Sequence, residues 1–381
     1  MAGSIRNALN NMKLHLLGLP HTITSPEYSH CAFTGKVLKF PAMMKPLGYD
    51  IIHYGVEGAE TEATEQVDVM SREEQLSLLG HKGADPAKFY SDDAHTDSPL
   101  YTEFNKRLRR ELMKRVVMDD LVLLPFGHAH HAAVEGLSYQ LVEMGIGYPT
   151  LYDSAPFKIF ESYAWMHFHQ GRVNRWGNNY EWVVPNYFDI EEWKVVPELL
   201  HEDQRNRVAF LGRICDAKGL QVIIEVAKRR PDLQFSICGQ GDPAPYLTSS
   251  NIAYVPPLTG KWRSAYLGEA RAVIMPTTFT EPFAGVSVEA QLCGTPVISS
   301  SYGAFTETIE DGVTGFRCHT LGDFLAALDR VPSLNRQYIA DRARKLYGYE
   351  RVGKMYDRAF RQIADLREAG WYTERSVFAT A

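Results

Sequence analysis

Two glutamates, Glu281 and Glu289, lie eight residues apart in the stretch EPFAGVSVEAQLCGTP. On one continuous helix they would be about 80° apart, because each residue turns the helix by about 100°. Pro282 and Gly285 disfavour a helix that already covers Glu281. We therefore predict a loop, EPFAG, that leads into a helix, VSVEAQLCG. The pair is either two solvated helix-end acids or two acids that reach one ligand.

The second alternative suits a ligand that carries both hydroxyl groups and an anion. The carboxylate of Glu289 can accept two hydroxyl hydrogen bonds, as a ribose diol would offer. Glu281 precedes the loop, from where it could reach sugar hydroxyls. The glycine of the loop permits an unusual backbone, so the amides of Ala284, Gly285 and Val286 are candidate anion donors.

Two cationic residues also lie between a predicted strand and the helix after it, earlier in the chain. FLGRICDAKGL puts Arg213 directly after a predicted strand and Lys218 at the start of a predicted helix. The free N–H groups at a helix start carry partial positive charge, so these side chains predict a phosphate or diphosphate site. Two surface cations beside a turn would give the same pattern. Gly239, in CGQGD, ends another strand, where the backbone can approach a ligand closely.

Short apolar runs alternate with helix-like segments along the chain, which predicts parallel sheets with helices on both faces. The predicted strands of the first half are KLHLLGLP, GYDIIHYGVEG, DLVLLPFG and GYPTLYDS. Those of the second half are RVAFLGR, LQFSICGQGD, ARAVIMPT and TPVISSS.

This alternation predicts an α/β protein of two Rossmann-like domains, residues 1–187 and 188–350, joined near VVPNYFDIEEWKVVPELLHEDQ. An amphipathic helix in residues 351–381 has no strand after it and is free to pack across both domains. Ligands of open α/β sheets bind at the carboxyl ends of the strands, so we expect the two domains to face each other across a binding cleft.

The order of the motifs in the second half is that of a known family. From about Arg207 to Gly315 the chain reads GR-x4-K-G, GxG, E-x7-E, GTPVI and GAFTETIEDGVTGF in turn. This set resembles the donor domain of GT-B retaining glycosyltransferases of the family 4 type, the glycosyl transferases group 1. VVPNYFDIEEW is similar to their domain-joining PNGVD segment, with Tyr187 where glycine is usual. YGYERVGKMYDRAF is similar to the helix that returns to their first domain.

The resemblance implies a role for each donor-side residue. Arg213 and Lys218 would bind the nucleotide diphosphate, and Gly239 would lie beside it. Glu289 would hold the ribose hydroxyls. Glu281, with the amides from Phe283 to Val286, would hold the donor sugar and the distal phosphate, and we assign it a catalytic role.

The resemblance also implies an activity: transfer of a sugar from a nucleotide-diphosphate sugar to a hydroxyl of a glycan, a lipid or a small molecule (EC 2.4 type). It implies retention by front-side attack, with a donor phosphate oxygen taking the acceptor proton. It implies no cofactor and no catalytic metal. Glu307 matches an acid in the later GG…E stretch of the family. Because alanine replaces the second glycine here, we assign Glu307 a structural role first.

The first half supplies candidates nearer the acceptor. Gly35, in FTGK, is a candidate for the glycine that these enzymes place beside the diphosphate. His128, in GHAHH, follows a predicted strand and could hydrogen-bond the sugar or the acceptor, so we assign it a catalytic role. It could instead pack or cap a helix, or form a zinc site with His130 and His131, although no companion Cys or HExxH frame supports zinc.

Acceptor contacts are expected from two further segments. Tyr152 and Asp153 stand where many family members carry a histidine. The aromatic stretch FKIFESYAWMHFHQGR suits either sugar rings or core packing. From it we name Glu161 as an acceptor residue, with Lys158 and Arg172 as further candidates.

The composition narrows the partners. The 381 residues carry a formal net charge of −6, which argues against nucleic acid as the main partner, and RLRR at Arg107–Arg110 is interpreted as a solvated helix face. Five scattered cysteines without CxxC predict reduced thiols and a cytoplasmic protein. No signal peptide and no transmembrane segment are expected, which leaves peripheral membrane contact open. Two alternative functions remain: a GT-B nucleotide-sugar epimerase and a nucleotide-sugar-binding protein without transferase activity.

Overall fold

A computed structural model describes residues 12–29, 31–79, 95–195 and 206–369. The chain divides into two compact units. The first comprises Met1–Phe160, Trp176–Tyr187 and Glu350–Ala381, and the second comprises Glu161–Arg175 and Phe188–Tyr349. The segment Glu161–Arg175 therefore groups with the second unit, whereas the predicted boundary at residue 187 left it in the first domain.

The first unit is built on a parallel sheet that has seven strands within the described residues, in the order β3-β2-β1-β4-β5-β6-β7. Its strands are β1 (Lys13–Leu17), β2 (Asp50–Val56), β3 (Glu65–Met70), β4 (Leu121–Leu124), β5 (Gln140–Ile146), β6 (Phe157–Phe160) and β7 (Glu181–Val183). Its helices before residue 160 are α1 (Ala32–Met44), α2 (Arg72–Leu79), α3 (Pro99–Arg115) and α4 (His131–Val134). In the central register Leu14 of β1 stands between Ile51 and Leu121.

One predicted strand of this sheet is wrong. GYPTLYDS forms a loop, and the strand lies before it, at β5, whose seven residues are all buried. Pro149 could not donate a ladder hydrogen bond. The sequence of β5, QLVEMGI, contains Glu143, and a buried carboxylate interrupts the apolar run by which a central strand is recognised. Inside the fold Lys158 neutralises that carboxylate, with Nζ 3.0 Å from Oε2.

The second unit is built on a parallel sheet of six strands in the described part of the chain, in the order β10-β9-β8-β11-β12-β13. Its strands are β8 (Arg207–Leu211), β9 (Gln234–Cys238), β10 (Ile252–Val255), β11 (Ala272–Met275), β12 (Val297–Ser300) and β13 (Gly315–Cys318). Its helices are α5 (Tyr163–Arg172), α6 (Leu220–Arg229), α7 (Gly260–Gly268), α8 (Gly285–Leu292), α9 (Phe305–Thr308), α10 (Leu321–Arg330) and α11 (Arg336–Tyr347). Apolar clusters cover both faces of the sheet, as expected for buried parallel strands.

The last described helix, α12 (Tyr349–Ala369), packs on the first unit from its second residue onward. Tyr356 and Phe360 are buried against Phe40, with ring centroids 5.5 and 6.4 Å away. The hydroxyl of Tyr49 donates to Asp357 over 2.9 Å. Among the described helices none is both long and apolar enough to cross a bilayer.

Candidate functional site

The predicted donor residues gather at the carboxyl edge of the second sheet. Because its strands are parallel, the loops that follow β8, β9, β11 and β12 all emerge at this edge. The residues on these loops and on the helices that follow them are Arg213, Lys218, Gly239, Glu281, Phe283, Ala284, Gly285, Val286 and Glu289.

Lys218 and Glu281 are in direct contact. Nζ of Lys218 donates to Oε2 of Glu281 over 2.8 Å, and the side chains are 20% and 11% exposed. The same ammonium lies 4.7 Å from the ring centroid of Phe279. A partly buried ion pair restricts both side chains, so the lysine ammonium has a defined position at the sheet edge.

The turn that carries Lys218 is fixed to the loop after β11. Gly219 is the N-cap of α6, with φ +75°, and a Cβ there would stand 1.9 Å from the carbonyl oxygen of Pro276. The backbone N–H of Thr278 donates to the carbonyl of Ala217 over 2.9 Å. Only glycine permits so close an approach in this backbone conformation. The position of Lys218 therefore depends on Gly219.

Arg213 is exposed, and the backbone on both sides of it is bonded to the glycine turn after β9. The N–H of Gly212 donates to the carbonyl oxygen of Cys238 over 3.0 Å. The N–H of Ile214 donates to the carbonyl oxygen of Gln240 over 2.7 Å. Gly239 has φ +150°, and a Cβ on it would lie 1.8 Å from the oxygen of Gly212. The close backbone approach expected at Gly239 is therefore made to Gly212, and its predicted contact with the donor stays a prediction.

The loop EPFAG enters α8 through a left-handed residue. That residue is Ala284, with φ 65° and ψ 56°, whereas Gly285 is the first residue of the helix. The unusual backbone expected at the glycine is thus one residue earlier. Phe283 is buried and stacks on Phe188, with centroids 6.4 Å apart, which anchors the loop. The first N–H groups of a helix have no acceptor inside it, so α8 presents them at this edge.

Glu289 is held by an arginine that the sequence motifs do not include. Nε and Nη2 of Arg263, on α7, donate to Oε2 of Glu289 over 2.8 and 2.5 Å. The two side chains are 24% and 13% exposed. Among the described residues Oε1 of Glu289 has no hydrogen-bond partner, so one oxygen remains for hydroxyl groups. No short-range pattern points to Arg263, because it lies 26 positions from its partner.

Glu307 fastens the first turn of α5. Its carboxylate accepts hydrogen bonds from the backbone N–H groups of Tyr163 and Ala164, over 3.0 and 2.7 Å. Ser162 donates from Oγ to the carbonyl of Pro282 over 2.6 Å. The bonds to Glu307 tie α5 to α9, the bond of Ser162 ties the N-cap of α5 to the EPFAG loop, and all of these residues belong to the second unit. Glu307 thus contacts the backbone of α5, and its structural role stays a prediction.

In the first unit, His128 lies in a single helical turn after β4. It lines a cavity of about 300 Å³ together with Phe126 and Tyr148. Its ring stacks on that of His131, with centroids 5.2 Å apart. The structure thus gives His128 both an accessible face and a packing partner, and its catalytic role stays a prediction.

The zinc alternative requires ligand nitrogens from His128, His130 and His131. Nδ1 of His131 lies 2.9 Å from the carbonyl oxygen of His128, so that nitrogen is engaged. Burial, with the nearby His131 and His21, lowers the pKa of His130 to about 3. Within the described ranges no three His, Cys, Asp or Glu side chains could hold a metal ion together.

The remaining candidates from the first half of the sequence lie in different surroundings. Tyr152 is 8% exposed and packs in the apolar core, whereas Asp153 is exposed. Lys158 is buried and donates to Glu143 and to the carbonyl of Tyr152, so its ammonium is already engaged. Glu161 is buried.

Gly35 and Arg172 complete the set of first-half candidates. Gly35 is the fourth residue of α1, and its N–H donates to the carbonyl oxygen of Cys31 over 2.9 Å. This amide belongs to the helix ladder and is not available to a phosphate. Arg172 ends α5 and is exposed.

One known family matches the region of the chain that carries this edge. Residues 205–332 match the family model of the glycosyl transferases group 1. This group 1 segment contains Arg213, Lys218, Glu281 and Glu289, and also Arg263. The predicted donor residues of the second unit and the arginine that the motifs omit thus fall in one family match.

Curated relatives match about a third to two fifths of this chain. D-inositol 3-phosphate glycosyltransferase from Paenarthrobacter aurescens is 34% identical over 140 residues, which is 32% of this chain and 34% of that protein. The enzyme of that name from Mycolicibacterium smegmatis is 28% identical over 179 residues, 42% of this chain and 41% of the relative. The chain thus spans about a third to two fifths of the length of these relatives.

Solved structures match nearly the whole chain. Sucrose-phosphate synthase from Thermosynechococcus elongatus has a TM-score of 0.68 at 14% identity, over 93% of this chain and 99% of that one. Anabaena HepE, in complex with UDP and glucose, has a TM-score of 0.62 at 15% identity, over 91% and 99%. At this identity the likeness concerns the fold, and the predicted fold of two Rossmann-like domains is confirmed.

Proposed function

We propose that this chain transfers a sugar from a nucleotide-diphosphate sugar to an acceptor hydroxyl. The observation that carries the proposal is the contact between Lys218 and Glu281, at the sheet edge where α8 begins and inside the group 1 segment. The names of the relatives support it, since D-inositol 3-phosphate glycosyltransferase describes a sugar transferase and HepE is described with UDP and glucose.

The departing diphosphate gains negative charge as the bond to the sugar breaks. Lys218, Arg213 and the first N–H groups of α8 can stabilise that charge without a proton transfer. An ammonium has three N–H donors, so Lys218 can bind a phosphate oxygen while it keeps its bond to Glu281. Glu281 then acts as the group that aims the lysine and as an acceptor for sugar hydroxyls.

The two carboxylates do not form the acid and base pair of a glycosidase. Such a pair flanks the scissile bond, and one member must carry a proton. Here Glu281 accepts a hydrogen bond from Lys218 and Glu289 accepts two from Arg263, so each carboxylate is already bound to a cationic side chain. Both glutamates are therefore suited to accept hydroxyl hydrogen bonds, from the sugar at Glu281 and from the ribose at Glu289.

The finer features of the reaction rest on the family 4 resemblance. We propose retention by front-side attack, with a phosphate oxygen of the donor taking the acceptor proton. We propose that no catalytic metal is needed, because Arg213 and Lys218 supply positive charge where a metal would otherwise do so. A glycan, lipid or small-molecule acceptor and a cytoplasmic location are part of the same proposal.

A thermal-shift screen of the full chain with UDP-, GDP-, ADP- and dTDP-glucose tests donor binding. We expect one nucleotide to raise the unfolding temperature by several degrees, because a ligand at 100 times its Kd stabilises the folded state by about 2.7 kcal/mol. Inorganic phosphate at equal concentration is the control. If none of the four nucleotide sugars raised the unfolding temperature, the proposed donor site would be wrong.

Arg263→Met tests the assignment of Glu289 to the ribose. Without the arginine the carboxylate of Glu289 loses its fixed position, so we expect about tenfold weaker binding of the preferred ribonucleotide by calorimetry. The 2′,3′-dideoxy form should bind the variant and the parent equally. Lys261→Met, on the same helix and exposed, is the matched control. If Arg263→Met weakened binding of the dideoxy form as much as binding of the ribonucleotide, the assignment of Glu289 to the ribose would be wrong.

A further inference from the structure

A cavity of about 590 Å³ lies in the first unit along α3. Its charged lining consists of Lys106, Arg109 and Arg110, with Asp97 as the acid. His131, on α4, also lines it. Three cationic side chains thus share a cavity with one carboxylate in a protein whose net charge is −6.

The other cations of α3 are paired away from this cavity. Arg107 donates to Glu74 over 2.7 Å, and Lys114 donates to Glu111 over 2.6 Å. In contrast, Arg110 has no ion pair in the described part of the chain. The RLRR cluster, interpreted from the sequence as one solvated helix face, is therefore divided: Arg107 is ion-paired, whereas the arginines at 109 and 110 line a cavity.

Arg109 and Lys106 retain donors for a ligand. Arg109 gives one guanidinium N–H to the carbonyl of Glu135 over 2.7 Å, which positions the group and leaves further N–H donors. Lys106 reaches Glu103 over 3.3 Å, and its side chain is 57% exposed. Two arginines one position apart and an exposed ammonium offer the bidentate and point-charge contacts that phosphate groups favour.

Asn105 adds an acceptor to the same lining. It is 2% exposed, and its Nδ2 donates to the carbonyl of Ala129 over 2.7 Å. Its Oδ1 is buried and has no hydrogen-bond partner among the described residues. A buried amide oxygen without a partner is uncommon, because it has given up its bonds to water. A hydroxyl of a bound molecule would satisfy it.

We propose that this cavity binds a small phosphate monoester that also carries hydroxyl groups. The arginines at 109 and 110 and the lysine at 106 bind the phosphate, and Oδ1 of Asn105 accepts a hydroxyl. The carboxylate of Asp97 can accept a second one. Small-molecule pockets commonly enclose about 300–1,000 Å³, so the cavity suits a sugar or polyol phosphate better than phosphate alone. The site does not depend on the proposed sugar transfer.

Calorimetric titration of the full chain tests the site, with glycerol 3-phosphate, methyl phosphate, inorganic phosphate and glucose as probes. We expect glycerol 3-phosphate to bind at least threefold more tightly than methyl phosphate, and glucose not to bind. Arg109→Gln and Arg110→Gln should each weaken glycerol 3-phosphate about tenfold, because each removes a charged hydrogen-bond donor. Lys114→Gln, on the same helix outside the lining, should bind as the parent does.

Three outcomes would overturn the proposal. The first is equal binding of the phosphates by the parent and both arginine variants. The second is equal affinity for glycerol 3-phosphate and methyl phosphate, which would remove the role of Asn105. The third is arginine-dependent sedimentation with phosphatidylglycerol vesicles without binding of any soluble phosphate, which would make this face a lipid-binding surface instead. Circular dichroism of each variant confirms that it is folded.

Discussion

Lys218→Met is expected to lower kcat/KM for the donor by about 10²–10³-fold, the usual effect of removing one fixed donor to developing negative charge. The loss should appear in nucleoside diphosphate affinity as well, because Lys218 would contact the diphosphate before and after transfer. Turnover with the donor from the thermal-shift screen and titration with its nucleoside diphosphate measure the two effects. The substitution also leaves Glu281, with 11% of its side chain exposed, without its cation.

A double-mutant cycle separates these consequences. Glu281→Gln keeps the shape of the side chain, and we expect it to reduce turnover sharply as well. Because Nζ of Lys218 and Oε2 of Glu281 are 2.8 Å apart, the two substitutions should not act independently. The turnover of the double variant should fall by less than the product of the two single reductions. Lys228→Met, on α6 and paired with Glu225, is the matched control and should keep the parental rate. Unchanged diphosphate affinity in Lys218→Met would remove the lysine from the donor site.

Gly219→Ala is expected to destabilise the second unit by at least about 3 kcal/mol, within the range that severe core clashes reach. The added Cβ would meet the carbonyl oxygen of Pro276 at 1.9 Å, so the backbone of the turn or of the loop must move. The displaced turn carries Lys218, and donor affinity should fall with stability. Urea unfolding followed by far-UV circular dichroism measures the change.

Gly312→Ala measures the effect of backbone strain without a steric clash. Its φ is +74°, against +75° at Gly219, but a Cβ there meets only the end of the Arg330 side chain, at 4.0 Å. This variant should lose about 1 kcal/mol, the strain of alanine in the left-handed region. If both variants lost the same amount, steric contact with Pro276 would not be the reason that position 219 is glycine.

The central strands were predictable because their signal is local. LVLL of β4 and AVIM of β11 are short apolar runs, and every residue in them is buried. β5 does not show this pattern because it contains Glu143. Burial raises the pKa of the Glu143 carboxyl group. Its cation, Lys158, comes 15 positions later. An apolar pattern cannot show that a distant cation will neutralise a buried carboxylate.

The motif order alone determined which residues to examine: Arg213, Lys218, Glu281 and Glu289 all lie at one sheet edge. Sequence order could not reveal the partners of these residues. Lys218 and Glu281 meet across 63 positions because β8 and β11 are neighbours in the sheet. Arg263 reaches Glu289 across 26 positions, from α7 to α8.

The sequence by itself therefore determined two α/β units, the sheet edge that we propose for the donor and most of the residues on it, because burial patterns and motif spacing are local properties of the chain. The tertiary structure decided that Lys218 and Glu281 form a pair, that Arg263 holds Glu289, and that α5 is fastened by Glu307. It also decided that Arg109 and Arg110 line a cavity. Each of these depends on which strands and helices become neighbours, and that is settled by the packing of the whole chain.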